Sequence, residues 1–169
     1  MASDRYPLHH RSEVDVAADV QRVFAHLDDH RRLASHMEKP SLMMAGATLR
    51  VETDELKGQA VGSVIRVNGR VLGLGLAVEE VVTDRVPPLR KTWETRGEPR
   101  LLVIGAYRMG FTIAALGARS RLVVFIDYQL PPRGFARGLA LLFGRTYAAW
   151  STRRMATDAV AAFAGVPNG

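Results

Sequence analysis

Four side chains in this sequence could move a proton inside an apolar pocket: His36, Tyr107, Tyr128 and Tyr147. Acid–base catalysis needs only one or two such groups, held in place and shielded from water. Each also has a plainer role, because histidine and tyrosine carry a polar tip on an apolar body and reach water or backbone with it. Arg153 is a fifth candidate. At about 100° per residue it returns to the angle of Phe135, inside an apolar helical stripe. An unpaired guanidinium buried there costs on the order of several kcal/mol. Arg153 therefore pairs with a sheet carboxylate such as Glu80, snorkels past a rim, or grips an acidic or carbonyl group of a ligand with its two-pronged donors.

Other patterns carry less. His26 and His30 stand four apart, a metal-ligand spacing on a helix, but the glutamate of a zinc protease is missing and Asp28-Asp29 interrupts the helix. His9-His10 lie in a polar terminus. Gly73-Leu74-Gly75 begins like a dinucleotide fingerprint, yet Val78 stands where the third glycine belongs and strands follow. The chain has no cysteine, and no serine lies in a Gly-x-Ser-x-Gly context, which removes the usual nucleophiles. No metal and no cofactor are expected.

The elements that must position these groups follow from hydrophobic period. Arg11–Ala18 alternates as a strand with Val14 and Val16 inward. Asp19 caps a short helix that buries Val20, Val23, Phe24 and Leu27. A second short helix spans His30–His36, and Ser41–Gly46, with Met43 and Met44, has no clear period. Six strands follow: Thr48–Thr53, Ser63–Asn68, Leu72–Val82, Leu89–Arg96, Ala106–Leu116 and Leu122–Leu130. Their turns are expected at Lys57-Gly58, Asn68-Gly69, Pro87-Pro88, Gly97-Glu98-Pro99 and Gly117-Ala118. Strand period puts Leu49, Val51, Ile65, Val67, Leu74, Leu76, Trp93, Met109, Phe111 and Val124 on one face. After Pro131-Pro132, Arg133–Ala164 is one long helix. Its larger apolar residues, Phe135, Leu139, Leu142, Phe143 and Trp150, share one side and are expected to face the sheet. Gly73 and Gly75 would ease the sheet's curvature from its outer face.

Composition sets the frame. The chain has 169 residues, 47% of them hydrophobic, enough for one domain with its own core. The first ten residues read as flexible. Net charge is +6, but the arginines are scattered, so no nucleic-acid partner is expected. No apolar run is long enough to span a bilayer, and the N-terminus lacks a secretory segment. A cytoplasmic protein without stable membrane insertion is expected, and the composition leaves a homodimer open.

The order strand, two short helices, six strands, long helix resembles the helix-grip fold of the START and birch-pollen-allergen superfamily. Within it, the chain is most similar to the polyketide cyclase/dehydrase-like group. The residues that carry the resemblance are Val16-Ala17-Ala18-Asp19-Val20-x-x-Val23-Phe24, His36-Met37, Gly62-Ser63 and Val86-Pro87-Pro88-Leu89-Arg90-x-x-Trp93. Asp19 departs from the family, which often has proline there. The resemblance implies an α+β fold: a curved antiparallel sheet of about seven strands gripping the long helix, as one domain over residues 1–169. It also implies a cavity between sheet and helix for lipids, polyketides or other apolar molecules. Candidate wall residues are Leu76, Trp93, Tyr107, Met109, Phe111 and Tyr128 on the sheet. Phe143, Trp150 and Arg153 on the helix join them, with His36 and Met44 before the sheet. Three functions fit: binding of a small hydrophobic or amphiphilic molecule, a polyketide cyclase/dehydrase-type enzyme using the same cavity, and a partner-binding domain with a collapsed core.

Overall fold

The computed structural model describes residues 5–29, 48–71 and 73–165. The expected second short helix, His36, Met43 and Met44 lie outside them. Seven strands form one antiparallel sheet: β1 (Leu8–Val16), β2 (Thr48–Thr53), β3 (Val64–Val71), β4 (Leu74–Val86), β5 (Arg90–Arg100), β6 (Tyr107–Leu116) and β7 (Arg119–Tyr128). Their order is β1-β7-β6-β5-β4-β3-β2. β2 to β7 thus form the expected meander, and β1 closes one edge against β7. Two helices complete the described fold: α1 (Val20–Asp28) and α2 (Phe135–Phe163). Neither is long and apolar enough to cross a membrane.

Alternation along the strands decides which side chains face α2. Registers Val82↔Trp93, Trp93↔Met109, Met109↔Ile126 and Phe111↔Val124 put these residues on one concave face. Leu49, Val51, Ile65, Val67 and Leu76 join it through the registers of β2, β3 and β4. Leu74 shares the face but lies at its exposed end. β1 begins at Leu8, inside the stretch expected to be flexible, because its pairing continues to Leu8↔Tyr128. Two expected turns are strand instead: Asn68-Gly69 lies within β3 and Gly97–Pro99 within β5. Gly73 serves the β3–β4 turn with φ 82°. β4 itself breaks register between Ala77 and Glu79 and again between Val82 and Asp84. Such bulges bend a strand and raise its twist, so they curve the sheet where glycines were expected to.

Asp19 caps α1 as expected, accepting a hydrogen bond from the Arg22 backbone N–H at 3.0 Å. Val23, Phe24 and Leu27 are buried beneath it. Phe24 and Trp93 both meet the Phe111 ring edge-on, at 5.8 and 6.4 Å between centroids. This core continues through Leu122 and Val124 to Met155, Ala156, Ala159 and Phe163 of α2. A second apolar cluster fills the other half of the concavity. It contains Leu49, Ile65, Val67, Val78, Val82, Ile104, Ile126 and Ala148 around Tyr107 and Tyr128.

α2 presents the opposite side to the one expected from its large apolar residues. Its buried residues are Ala140, Gly144, Ala148, Ser151, Thr152, Met155, Ala156, Ala159 and Phe163. Phe135 and Leu142 are 74% and 73% exposed, and Leu141 and Phe143 are exposed with them. The reason is volume. The sheet contributes Trp93, Tyr107, Phe111 and Tyr128, and a helix laid against side chains that large fits through small residues. At Gly144 the approach is close, since an added Cβ would lie 2.9 Å from the carbonyl oxygen of Val103.

Candidate functional site

Among the described residues the concave face of the sheet carries one buried carboxyl group, that of Glu80. On β4 the inward series runs Val78, Glu80, Val82, and Glu80 is only 6% exposed. It pairs in register with Ile65 of β3 and Thr95 of β5. Tyr107, one strand further on, donates its hydroxyl to Glu80 Oε1. The Tyr107 backbone N–H donates to Thr95 Oγ1 at 3.2 Å, which fixes the start of β6 over β5. The Trp93 side chain also hydrogen-bonds Glu80, so its ring closes the first core cluster while its N–H serves the polar group. Tyr147 approaches from α2.

Burial dominates the electrostatics here. It pushes the Glu80 carboxyl from 4.5 up to about 7, although hydrogen bonds from Tyr107 and Trp93 favour the charged form and pull the other way. Burial, with the charge of Glu80 beside it, raises the Tyr107 hydroxyl well above the usual range. The same two causes push Tyr147 up to about 12. Both tyrosines are therefore hydrogen-bond donors at neutral pH. A carboxyl that exchanges its proton near pH 7 can accept one or donate one.

A second buried ionic group has a different role. Lys91, on the inward side of β5 and fully buried, donates to Asp28 Oδ1 at 2.8 Å and to the Asp28 carbonyl at 2.9 Å. Arg85 grips the same carboxylate with two prongs, Nε at 3.1 Å and Nη2 at 2.7 Å. Burial lowers the Lys91 ammonium, while its bonds to Asp28 oppose the fall. Burial also pushes Asp28 up, but hydrogen bonds from Arg85 and Lys91 outweigh it and hold the carboxyl below its ordinary range. These contacts tie the end of α1 to β4 and β5.

The structure gathers seven of the expected wall residues. Leu76, Tyr107, Tyr128 and Trp150 belong to the second cluster, Trp93 and Phe111 to the first, and Met109 touches both. Phe143 and Arg153 are not among them, because both lie on the exposed side of α2. Glu80, expected only as a partner for Arg153, bonds Tyr107 and Trp93 instead. The signal for it was in the sequence: a carboxylate at the inward position of an otherwise apolar alternation. His26, considered as a metal ligand, stacks edge-on against Phe163 at 5.5 Å. Among the described residues no group of three potential ligands could hold a metal ion. His36 and Met44 cannot be placed relative to the cluster, since they lie outside the described residues.

Comparison with known proteins adds a family and a fold. Residues 8–160 match the family model described as polyketide cyclase/dehydrase and lipid transport. Among proteins of curated function, none matches the chain in sequence. Solved structures do match in shape. The Zhui aromatase/cyclase from Streptomyces sp. R1128 superposes with a TM-score of 0.62 at 20% identity, over 90% of this chain and 93% of that one. A Chromobacterium violaceum protein superposes at 0.62 and 18% identity, over 93% and 97%. Norcoclaurine synthase from Thalictrum flavum superposes at 0.61 and 13% identity, over 92% and 84%. At these identities the likeness is one of fold.

Proposed function

Because this chain belongs to the polyketide cyclase/dehydrase and lipid-transport family, we propose that it binds a small hydrophobic or amphiphilic molecule between the concave sheet face and α2. The ligand class is a lipid, a polyketide or a related compound. One observation carries the reading: a largely apolar concave wall that holds a buried carboxyl–hydroxyl pair, Glu80 with Tyr107. Apolar burial at about 25 cal/mol/Å² supplies affinity. The pair supplies orientation, by hydrogen-bonding a hydroxyl or carbonyl on the ligand, as a few placed polar groups do in apolar sites.

The test is binding of an environment-sensitive apolar dye. The wild-type protein binds it with roughly micromolar affinity, and Leu76→Trp and Phe111→Trp, which fill the concavity, lower the capacity. A folded protein that takes up no dye would instead mark a collapsed core.

The protonation range of Glu80 favours one alternative, a polyketide cyclase/dehydrase-type enzyme using the same concavity. As carboxylate, Glu80 would remove a proton from a carbon beside a carbonyl. As acid, it would return a proton to a departing hydroxyl, which leaves as water. On this reading Glu80→Gln binds a poly-β-ketone substrate but does not turn it over. Equal turnover by wild type and variant would reject it.

A further inference from the structure

Outside the concavity, the edge strand β1 and the exposed flank of α2 enclose a pocket of about 510 Å³ that is open to solvent. Its lining is His10 from β1 with Arg145, Thr146, Ala149, Trp150 and Arg153 from α2. We propose that this pocket binds the anionic head, phosphate or carboxylate, of an amphiphile whose apolar part runs along the exposed side of α2.

Charge is the first support. No carboxylate among the described residues forms an ion pair with Arg145 or Arg153, although arginines elsewhere pair with acids repeatedly: Arg66 with Glu79, Arg108 with Asp127, Arg121 with Asp15. From Pro131 to Thr157 the chain has arginines and no acid at all. Two guanidinia therefore face one pocket with nothing negative to answer them, and planar donor forks of this kind suit carboxylate and phosphate. His10 fits the same account. Its Nδ1 is 2.9 Å from Thr152 Oγ1, which holds the ring against the helix. Burial, then Arg153 and Arg145, lower its proton affinity, so the neutral ring coexists with the two cations and can donate from its other nitrogen.

Shape is the second support. At about 100° and 1.5 Å per residue, Phe135, Leu142, Thr146, Ala149 and Arg153 fall within one narrow stripe along α2. Leu142 and Phe143 lie one turn before the pocket wall at Thr146, and both are exposed. The stripe is apolar at one end and cationic at the other, the polarity of an amphiphile laid head to tail. Trp150 gives the pocket a flat apolar wall, tilted against Tyr147 at 5.8 Å.

The experiment compares octyl phosphate with octanol by calorimetric titration. Wild type prefers the phosphate by roughly ten-fold or more, as charge-assisted bonds from two arginines require. Arg145→Met/Arg153→Met binds both alike, while Arg145→Lys/Arg153→Lys, which keeps the charges, retains part of the preference. Both positions are exposed, and circular dichroism confirms that the variants fold. Co-sedimentation with phosphatidylcholine vesicles, with and without phosphatidic acid, separates the sources of the head group. Arginine-dependent capture only by the acidic vesicles identifies a bilayer lipid, and octyl phosphate binding without capture identifies a free amphiphile. Either supports the site. No preference in wild type, or an undiminished preference in the double methionine variant, overturns it.

Discussion

Replacing Glu80 by glutamine gives a pH signature whose sign and size follow from its surroundings. Glutamine keeps the shape and still accepts a hydrogen bond from Tyr107, but it cannot ionise. In the folded wild type the carboxyl holds its proton up to about pH 7, against 4.5 when exposed. Between those values the native state binds more protons than the unfolded chain, so stability falls as pH rises. The loss is absent below about pH 4.5, grows through the window, and is complete above about pH 7. At about 1.4 kcal/mol per pH unit it reaches roughly 3 kcal/mol. His10 works in the opposite direction: its lowered affinity makes stability rise with pH up to its unfolded value of 6.5. That contribution is common to wild type and variant and cancels in their difference. Asp28, held below 3.8, loses its contribution only at lower pH. Urea unfolding of both proteins from pH 4.5 to 8 isolates Glu80. The wild type loses about 3 kcal/mol relative to Glu80→Gln across the range, equivalent to roughly 6–12 °C in Tm. A difference that does not change with pH would refute the reasoning, since Glu80 would then titrate like an exposed carboxyl.

Three further outcomes follow. Asp28→Asn removes the carboxylate charge that buried Lys91 and Arg85 both bond and lowers stability by about 3–5 kcal/mol in denaturant unfolding. Gly144→Ala brings a methyl group 2.9 Å from the Val103 carbonyl. Overpacking on that scale costs about 1–3 kcal/mol, read as a lower thermal midpoint. Leu142→Ser, at a position 73% exposed, changes stability by less than about 0.5 kcal/mol. A large loss there would mean that α2 buries its leucine and phenylalanine side.

The sheet was legible in the sequence because one of its faces is apolar and the other is not. Val124, Ile126 and Tyr128 against Val123, Phe125 and Asp127 fix a face whatever the neighbouring strands do. α2 was harder because both of its sides are apolar. One carries leucine and phenylalanine, the other alanine, glycine and methionine. Side-chain size pointed to the first, whereas packing against a sheet already rich in large aromatics selected the second. Arg153 looked misplaced only under the wrong orientation. On the exposed side it lines the pocket between β1 and α2 instead.

The candidate site was half legible for a related reason. Tyr107, Trp93 and Phe111 follow from strand period alone. Glu80 and Lys91 occupy inward positions by the same period, yet a single charged residue in an alternation gives no partner. The partners are distant in sequence: Tyr107 lies 27 residues from Glu80, and Asp28 lies 63 from Lys91. Only the sheet order and the end of α1 bring them together. His10 belongs to the same class. It read as part of a loose terminus until β1 extended back to Leu8 and set it against Thr152.

Native mass spectrometry of the purified protein tests the central claim most directly, since a ligand held between sheet and α2 should survive gentle ionisation. The account predicts a complex heavier than the 18.6 kDa chain. The added mass should be a small apolar or amphiphilic molecule, lost on denaturation and reduced in Phe111→Trp. A protein that shows only its own mass, both as purified and after incubation with fatty acids and polyketide-like aromatics, would contradict it.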